Sequence, residues 1–429
     1  MTFKASLLLT PVLCAGIAFA GTRKENDKAP KGPLANRPSK PGTHLTRITA
    51  MGENAWANLG KPAPDPKYGP AQGRSWSRKM AFAPDLRGAF IYGEGVHAGA
   101  TKRGSKVYYN DDLFFYDINA HAWVCCYPGT PLSNPGIKLD KKTGFETDSE
   151  GNVIPVAISV HSYWCPEYDI ERKQFMVMPS PGTPYWEKRL PIKTHRPHIS
   201  TRYSNTPGRM PGSPYYFDPV FSGKWTRFKT AGGGKSPRCN VDNALFYSRK
   251  LKKAVYLYGG AWLYDYQKNE WKQVSKGGGG NAAYCYDRKR DAIYVVRGKS
   301  KRGPGGTWLP IPNSNHLRIY DIGANKWSSP KTTGSAGAEA YSHTAFFTYD
   351  SANDVAVLHV QKRHYIYDPE KLTWTLLPST FPKAGGNVNW GASSGFYDEK
   401  LNAHFYFNAG DSNRKPGNMW VWRYKKAGK

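Results

Sequence analysis

Acidic residues are scarce in this chain. Its 429 residues hold 32 Asp and Glu against 61 Lys and Arg, a formal net charge of +29. The charged fraction is an ordinary 22%, so the basic balance comes from missing acids. Long apolar runs are missing too. Beyond the first twenty residues no stretch approaches the ~20 that a membrane-crossing helix needs. Cysteine is sparse, and only Cys125, Cys126, Cys165, Cys239 and Cys285 lie beyond the N-terminal leader. That number is odd, and no Cys-x-x-Cys or metal-ligand spacing is present, so a disulfide framework is excluded. Buried thiols are expected, while one disulfide or a structural metal ion on Cys and His stays open. No P-loop, HExxH or nucleophile elbow occurs. The glycine run from Gly277 to Gly280 opens no helix and reads as a turn.

What is abundant is aromatic. Aromatics make up 14% of the chain, with 14 Trp and 28 Tyr. Such a chain can bury a large core, which excludes global disorder. The 44 Gly and 33 Pro imply many turns, and hence many short strands.

The first residues read as an export signal. Lys4 supplies a positive start and Ala5 to Phe19 an apolar stretch. Ala18-Phe19-Ala20 then fits a small-x-small cleavage site before Gly21. Residues 21–45 follow as a basic, proline-rich tail with almost no large apolar side chains. Its composition predicts disorder.

Residues 46–429 repeat. Five segments share an aromatic residue, Asp, a short turn and Trp: Tyr116-Asp117 to Trp123, Phe217-Asp218 to Trp225, Tyr264-Asp265 to Trp271, Tyr320-Asp321 to Trp327, and Tyr367-Asp368 to Trp374. Each reads as a β-hairpin. A second unit precedes each one: an apolar strand ending in an aromatic, a basic turn, and another hydrophobic strand. Six such units are present, for example 282–296 and 345–360. Two hairpins make four strands, one blade of a β-propeller. The fold class is therefore all-β, a single propeller with six repeats, and seven blades if residues 129–158 hide a degenerate one. The last unit ends at Met419-Trp420-Val421-Trp422 without a fourth strand. Residues 54–59, around Trp56, resemble that missing strand and would close the ring and remove a sheet edge.

Two insertions interrupt the repeat, at about 129–158 and 179–214. The second carries Lys188, Arg189, Lys193, His195, Arg196, His198, Arg202 and Arg209 against a single acid, Glu187. Long loops in compact domains often carry function.

A propeller gathers the starts of its innermost strands around the central channel. Here those starts supply Arg78, Lys79, His161, Tyr163, Asn240, Asp242, Asn281, Ser342, His343, Asn389 and Trp390, with one carboxylate among them. Glycoside hydrolysis normally needs two carboxylates across the scissile bond, and this set offers no obvious pair. It suits β-elimination from a uronate instead. Arg or Asn would stabilise charge developing at the carboxylate. His or Tyr would take the C5 proton and another would assist the leaving oxygen. No metal or redox cofactor is required.

The Asp…Trp hairpins and the Tyr256-Leu257-Tyr258-Gly259-Gly260 segment resemble kelch-type propellers. With an export signal and channel His, Tyr and Arg, the chain also resembles the ulvan-lyase families of polysaccharide lyases. That resemblance implies cleavage of a sulfated, uronate-containing polysaccharide, with His97, His161, Tyr185, Arg202 and Tyr203 as catalytic candidates. The remaining channel residues, Arg78, Lys79, Tyr163, Asn240, Asn281, His343, Asn389 and Trp390, would bind substrate. Those lyases have seven blades, one more than the repeats here. Kelch-like propellers also include radical-copper sugar oxidases, which pair Cys with Tyr; Cys165 and Cys239 are the candidates for that reading. A non-catalytic sugar-binding propeller is the other alternative, because fold alone does not imply activity. The expected partner is an acidic polysaccharide bound by a secreted monomer, since export removes nucleic acid as a physiological target.

Overall fold

The computed structural model describes residues 29–74, 77–93, 100–133, 136–141, 143, 145–155, 163–178, 214–227, 237, 243–278, 282–297, 300–302, 308–310, 316–334, 345–360, 363–382, 393–409 and 415–426. Its repeating element is a tight hairpin with fixed chemistry. The Asp that ends a strand accepts backbone N–H groups two and three residues on. Asp265 takes those of Gln267 and Lys268, both at 3.1 Å, and Asp368 those of Glu370 and Lys371, both at 3.0 Å. The residue four places after the Asp then turns left-handed, as at His121, Asn269, Asn325 and Leu372, with φ between 49° and 54°. The strand ends pair directly across a four-residue loop, as Asp265 does with Glu270, a common hairpin connection. The Trp after it lies opposite the aromatic that precedes the Asp. Their ring centroids are 5.5 Å apart for Tyr116–Trp123, 5.1 Å for Phe217–Trp225, 5.0 Å for Tyr264–Trp271 and 4.9 Å for Tyr367–Trp374. Such cross-strand aromatic pairs are the unit of sheet stabilisation.

Six four-stranded antiparallel sheets result. From the innermost strand outward, the first blade holds Ala81–Ala83, Gly88–Tyr92, Leu113–Asp117 and Ala122–Tyr127. The second holds Glu167–Asp169, Gln174–Val177, Tyr215–Phe217 and Trp225–Arg227. Blades three to five begin at Ala244–Ser248, Ala283–Asp287 and Ala345–Asp350, and the sixth at Ser393–Asp398. Residues 129–158 form no blade among their described part; they contribute a two-stranded hairpin, Lys138–Leu139 with Glu146–Thr147. The propeller therefore has six blades, and the seven-blade alternative is set aside. The core is the set of blade-to-blade interfaces, filled by Phe, Tyr, Trp and branched aliphatics.

The sixth blade is completed from the other end of the chain. Its order is Ser393–Asp398, Ala403–Asn408, Asn418–Arg423 and then Ala55–Gly60. Trp56 lies opposite Trp422, the place of the aromatic pair elsewhere. Asn54 is left-handed at φ 44°, as Asn269 is before Trp271. Here the turn is cut, and Arg423 stands where the turn Asp should be. Its guanidinium donates to the carbonyls of Thr49 at 3.1 Å and Met51 at 2.6 Å on the incoming chain. It also donates to those of Asn402 at 3.2 Å and Leu401 at 2.9 Å on the turn beside it. A carboxylate only accepts, so it could not bind these carbonyls. A guanidinium can gather carbonyls from two separate segments.

The expected disordered tail differs within its described part, residues 29–45. This stretch straps across the turns of the second and first blades. Gly32 and Leu34 donate backbone N–H to Val220 and Pro219, both at 2.8 Å, and Leu34 is fully buried. Arg37 pairs with Asp117 at 2.6 Å, and Ser39 donates to the same carboxylate at 2.8 Å. Gly32 is required by close approach, since a Cβ there would lie 2.4 Å from the Pro219 oxygen. Disorder was inferred from a lack of apolar side chains, but backbone pairing and one buried Leu hold the strap. A short helix, His44–Thr49, then leads to the closing strand.

The blade five–six interface holds three buried histidines. His359 Nδ1 and His364 Nε2 share a hydrogen bond of 2.9 Å, and the His364 ring stacks on Trp422 at 3.6 Å. His404 Nδ1 meets the Thr348 hydroxyl at 2.9 Å, and its Nε2 lies 3.6 Å from Asp350.

Two outcomes follow from this seam. Deleting residues up to 43 lowers the melting temperature by several degrees, while deletion through residue 60 abolishes cooperative unfolding. Arg423→Ala, measured by urea unfolding, costs about 2–4 kcal/mol through four lost charge-assisted hydrogen bonds. Acid acts on the same interface. Burial, then His359 and His404, hold His364 well below an ordinary histidine. Its folded value is depressed, so its contribution is complete above the unfolded value of about 6.5 and is lost as pH falls below it. Thermal melts across pH 7 to 4 show this loss, and His364→Phe makes the curve shallower.

Candidate functional site

Consecutive innermost strands run in the same direction. Ser77 bridges Tyr163, Trp164 bridges Ala244, and Lys79 bridges Gly395, all in parallel. The starts of these strands therefore gather at one end of the channel, and their Asp-ended turns at the other.

At the first end the described candidates are Arg78, Lys79 and Tyr163, and they meet. The backbone N–H groups of Arg78 and Lys79 donate to the Tyr163 carbonyl at 2.9 and 3.2 Å. Tyr163 is left-handed at φ 36° and buried. Arg78 is 1% exposed, donates to the Ser393 carbonyl at 3.1 Å, and lies over the Phe346 ring. Burial brings its guanidinium down to about 9. Lys79 Nζ pairs with Glu167 at 3.0 Å, donates to the Leu245 carbonyl at 2.5 Å and sits 4.2 Å from the centre of the Phe246 ring. Both cations thus hold neighbouring blades together. His97, His161, Tyr185, Arg202, Tyr203, Asn240, Asn281, His343, Asn389 and Trp390 lie outside the described residues.

A cavity of about 160 Å³ runs from Lys79 to the turn end. Its wall is aromatic, with Phe82, Phe246, Tyr284, Tyr286, Phe396 and Tyr397. Phe82 and Phe396 stack at 5.5 Å. The wall is fixed by tyrosine hydroxyls tied to the turns. Tyr168 donates to Asp85 at 3.0 Å, Tyr286 to Asp291 at 2.8 Å, Tyr349 to Asp354 at 2.6 Å and Tyr397 to Asp350 at 2.9 Å. Burial and these carboxylates push the tyrosines well above their ordinary range. They are donors and wall, not bases.

Two carboxylates line this cavity, which the sequence reading missed. Glu167 is paired with Lys79, and Glu399 at the mouth with Arg288 and, at 3.8 Å, Arg249. Their positions are periodic: they sit on innermost strands and basic turns already visible as repeats. Convergence around one channel is what sequence spacing does not reveal. Cys125, Cys126 and Cys285 are buried free thiols, and Cys165 is buried as well. Among the described residues no group of three or more His, Cys, Asp or Glu is placed to hold a metal, and no helix is long and apolar enough to cross a membrane.

No protein-family model matches the chain, and neither does any curated protein. Among solved structures it is similar to TolB from Acinetobacter baumannii, at 11% identity and a TM-score of 0.33. The match covers 81% of this chain and 54% of that one, so the chain spans about half the length of that protein.

The Lys79–Glu167 pair is nearly enclosed, so breaking it has a clear sign. Lys79→Met leaves Glu167 without its cation and costs about 2 kcal/mol in urea unfolding. Adding Glu167→Gln recovers part of that loss.

Proposed function

We propose that this protein is a secreted polysaccharide lyase that cleaves a uronate-containing, sulfated polysaccharide by β-elimination. The observation that carries the reading is the net charge of +29 on a secreted-type sequence. A polymer bearing carboxylate and sulfate groups is the partner such a surface recruits, and Arg grips both groups bidentately. The commitment of Glu167 and Glu399 to cations supports it further. A hydrolase needs one carboxyl free to donate and one free to attack or activate water, whereas β-elimination needs neither.

In this mechanism Arg202 neutralises the uronate carboxylate and stabilises charge as the C5 proton leaves. His161 or Tyr203 takes that proton, and His97 or Tyr185 protonates the departing 4-oxygen. The bond from C4 to oxygen breaks as the C4–C5 double bond forms. No cofactor takes part. The resemblance to ulvan lyases supports this assignment by residue type and order.

A second reading has its own support. Arg78 and Lys79, two of the proposed substrate ligands, are occupied within the fold. A non-catalytic module that holds acidic polysaccharide on its basic surface fits that observation.

A panel of ulvan, heparinoids, chondroitin, alginate and pectate separates the two. The lyase produces ultraviolet absorbance from the unsaturated product on at least one of them, lost in Arg202→Ala and His161→Ala while folding is kept. Salt-sensitive retention on the acidic polymers with no absorbance on any identifies the binding module. Equal retention on neutral and acidic polymers at low salt overturns both.

A further inference from the structure

The turn end of the channel has the elements of a small anion site, distinct from the strand-start end discussed above. Two guanidiniums share one carboxylate there. Arg288 is paired with Glu399 and also donates to the Ser351 hydroxyl. Burial first, and then Arg249, lower it to about 10. Arg249 reaches Glu399 only at 3.8 Å, and its side chain remains 42% exposed. Deeper in, Lys79 and Glu167 cancel. The cavity thus carries one cation more than its carboxylates offset, and the loosely held group is Arg249.

Its shape limits the occupant. Drug-sized ligands fill roughly 300–1,000 Å³, whereas an apolar cavity of ~150 Å³ holds one benzene ring. At about 160 Å³, this cavity takes a single six-membered ring. Aromatic faces such as Phe82 and Tyr286 suit the C–H face of a sugar, and the mouth supplies the cation.

We infer that the channel mouth binds one carboxylate-bearing monosaccharide, a uronate, with its ring against the aromatic wall and its carboxylate on Arg249. This rests on the proposed reading for the ligand's chemistry and gives the same protein a second site that holds a single unit. The volume matches one sugar ring and not several. The site therefore senses a released monosaccharide or a chain end.

Isothermal titration of the purified mature chain with glucuronate, and with glucose as the neutral control, tests this. Glucuronate binds and glucose does not. Arg249→Gln weakens glucuronate binding about tenfold, the loss of one charge-assisted hydrogen bond, and Arg249→Lys retains part of it. Equal binding of the two sugars, no binding of either, or an unchanged Arg249→Gln overturns the inference. Arg249 lies on an exposed turn, so its variants fold, and an unchanged melting temperature confirms it. Polysaccharide retention and product absorbance are read on the same preparations. Loss of glucuronate binding with both intact removes the mouth site alone, while glucuronate binding without polymer retention removes the proposed function alone.

Discussion

The ring depends on a hairpin whose two strands come from opposite ends of the chain. Every other blade closes through a continuous turn held by a strand-ending Asp. In the sixth blade Asn54 and Trp422, joined by a 3.1 Å hydrogen bond, are 368 positions apart. Bringing them together costs loop-closure entropy that a local turn does not. Arg423 answers that constraint by binding carbonyls on both segments at once. The strap from residue 29 adds anchors on the first and second blades, so the closing strand is held on either side. Closure also gives the sixth blade the same four strands as the others, with Ala55–Gly60 as its outermost strand.

The architecture was legible because the hairpin turn imposes chemistry at fixed positions. An Asp must accept N–H groups, the fourth residue must tolerate a left-handed backbone, and the aromatic pair must face across. These requirements appear as a near-constant Asp-to-Trp spacing. Trp56 was recognisable as an orphaned copy of the same pattern. Arg423 was not, because it substitutes for the Asp only where the turn is cut. Residues 29–45 misled for a different reason. Composition scores apolar burial, whereas this strap is held by backbone bonds to a turn, by Arg37 on Asp117 and by one enclosed Leu.

The channel shows the same division. Strand starts and basic turns could be read as repeats, and so could the side of the ring each belongs to. Which of them are engaged could not. Arg78 and Lys79 looked like substrate ligands because they begin an innermost strand, yet that position is also where adjacent blades meet. Lys79 sits on the Phe246 ring and between Glu167 and Leu245 because a buried ammonium needs partners. Arg249 and Arg288 lie at the opposite mouth, where solvent reaches them and charge remains for a ligand. The inner cations serve cohesion, and so does the turn cation Arg87, paired with Asp398 at 2.6 Å across the first and sixth blades, whereas Arg249 is held only loosely.

Native-state hydrogen exchange at the seam tests the central claim, that the two chain ends form one cooperative blade. The amides pairing Ala57 with Val421 should exchange only through global unfolding, with the same free energy as those pairing Val255 with Leu263 in the uncut third blade. If the seam amides exchange through a separate, lower-energy opening while the third blade stays protected, the closing strand is an appendage and the account fails.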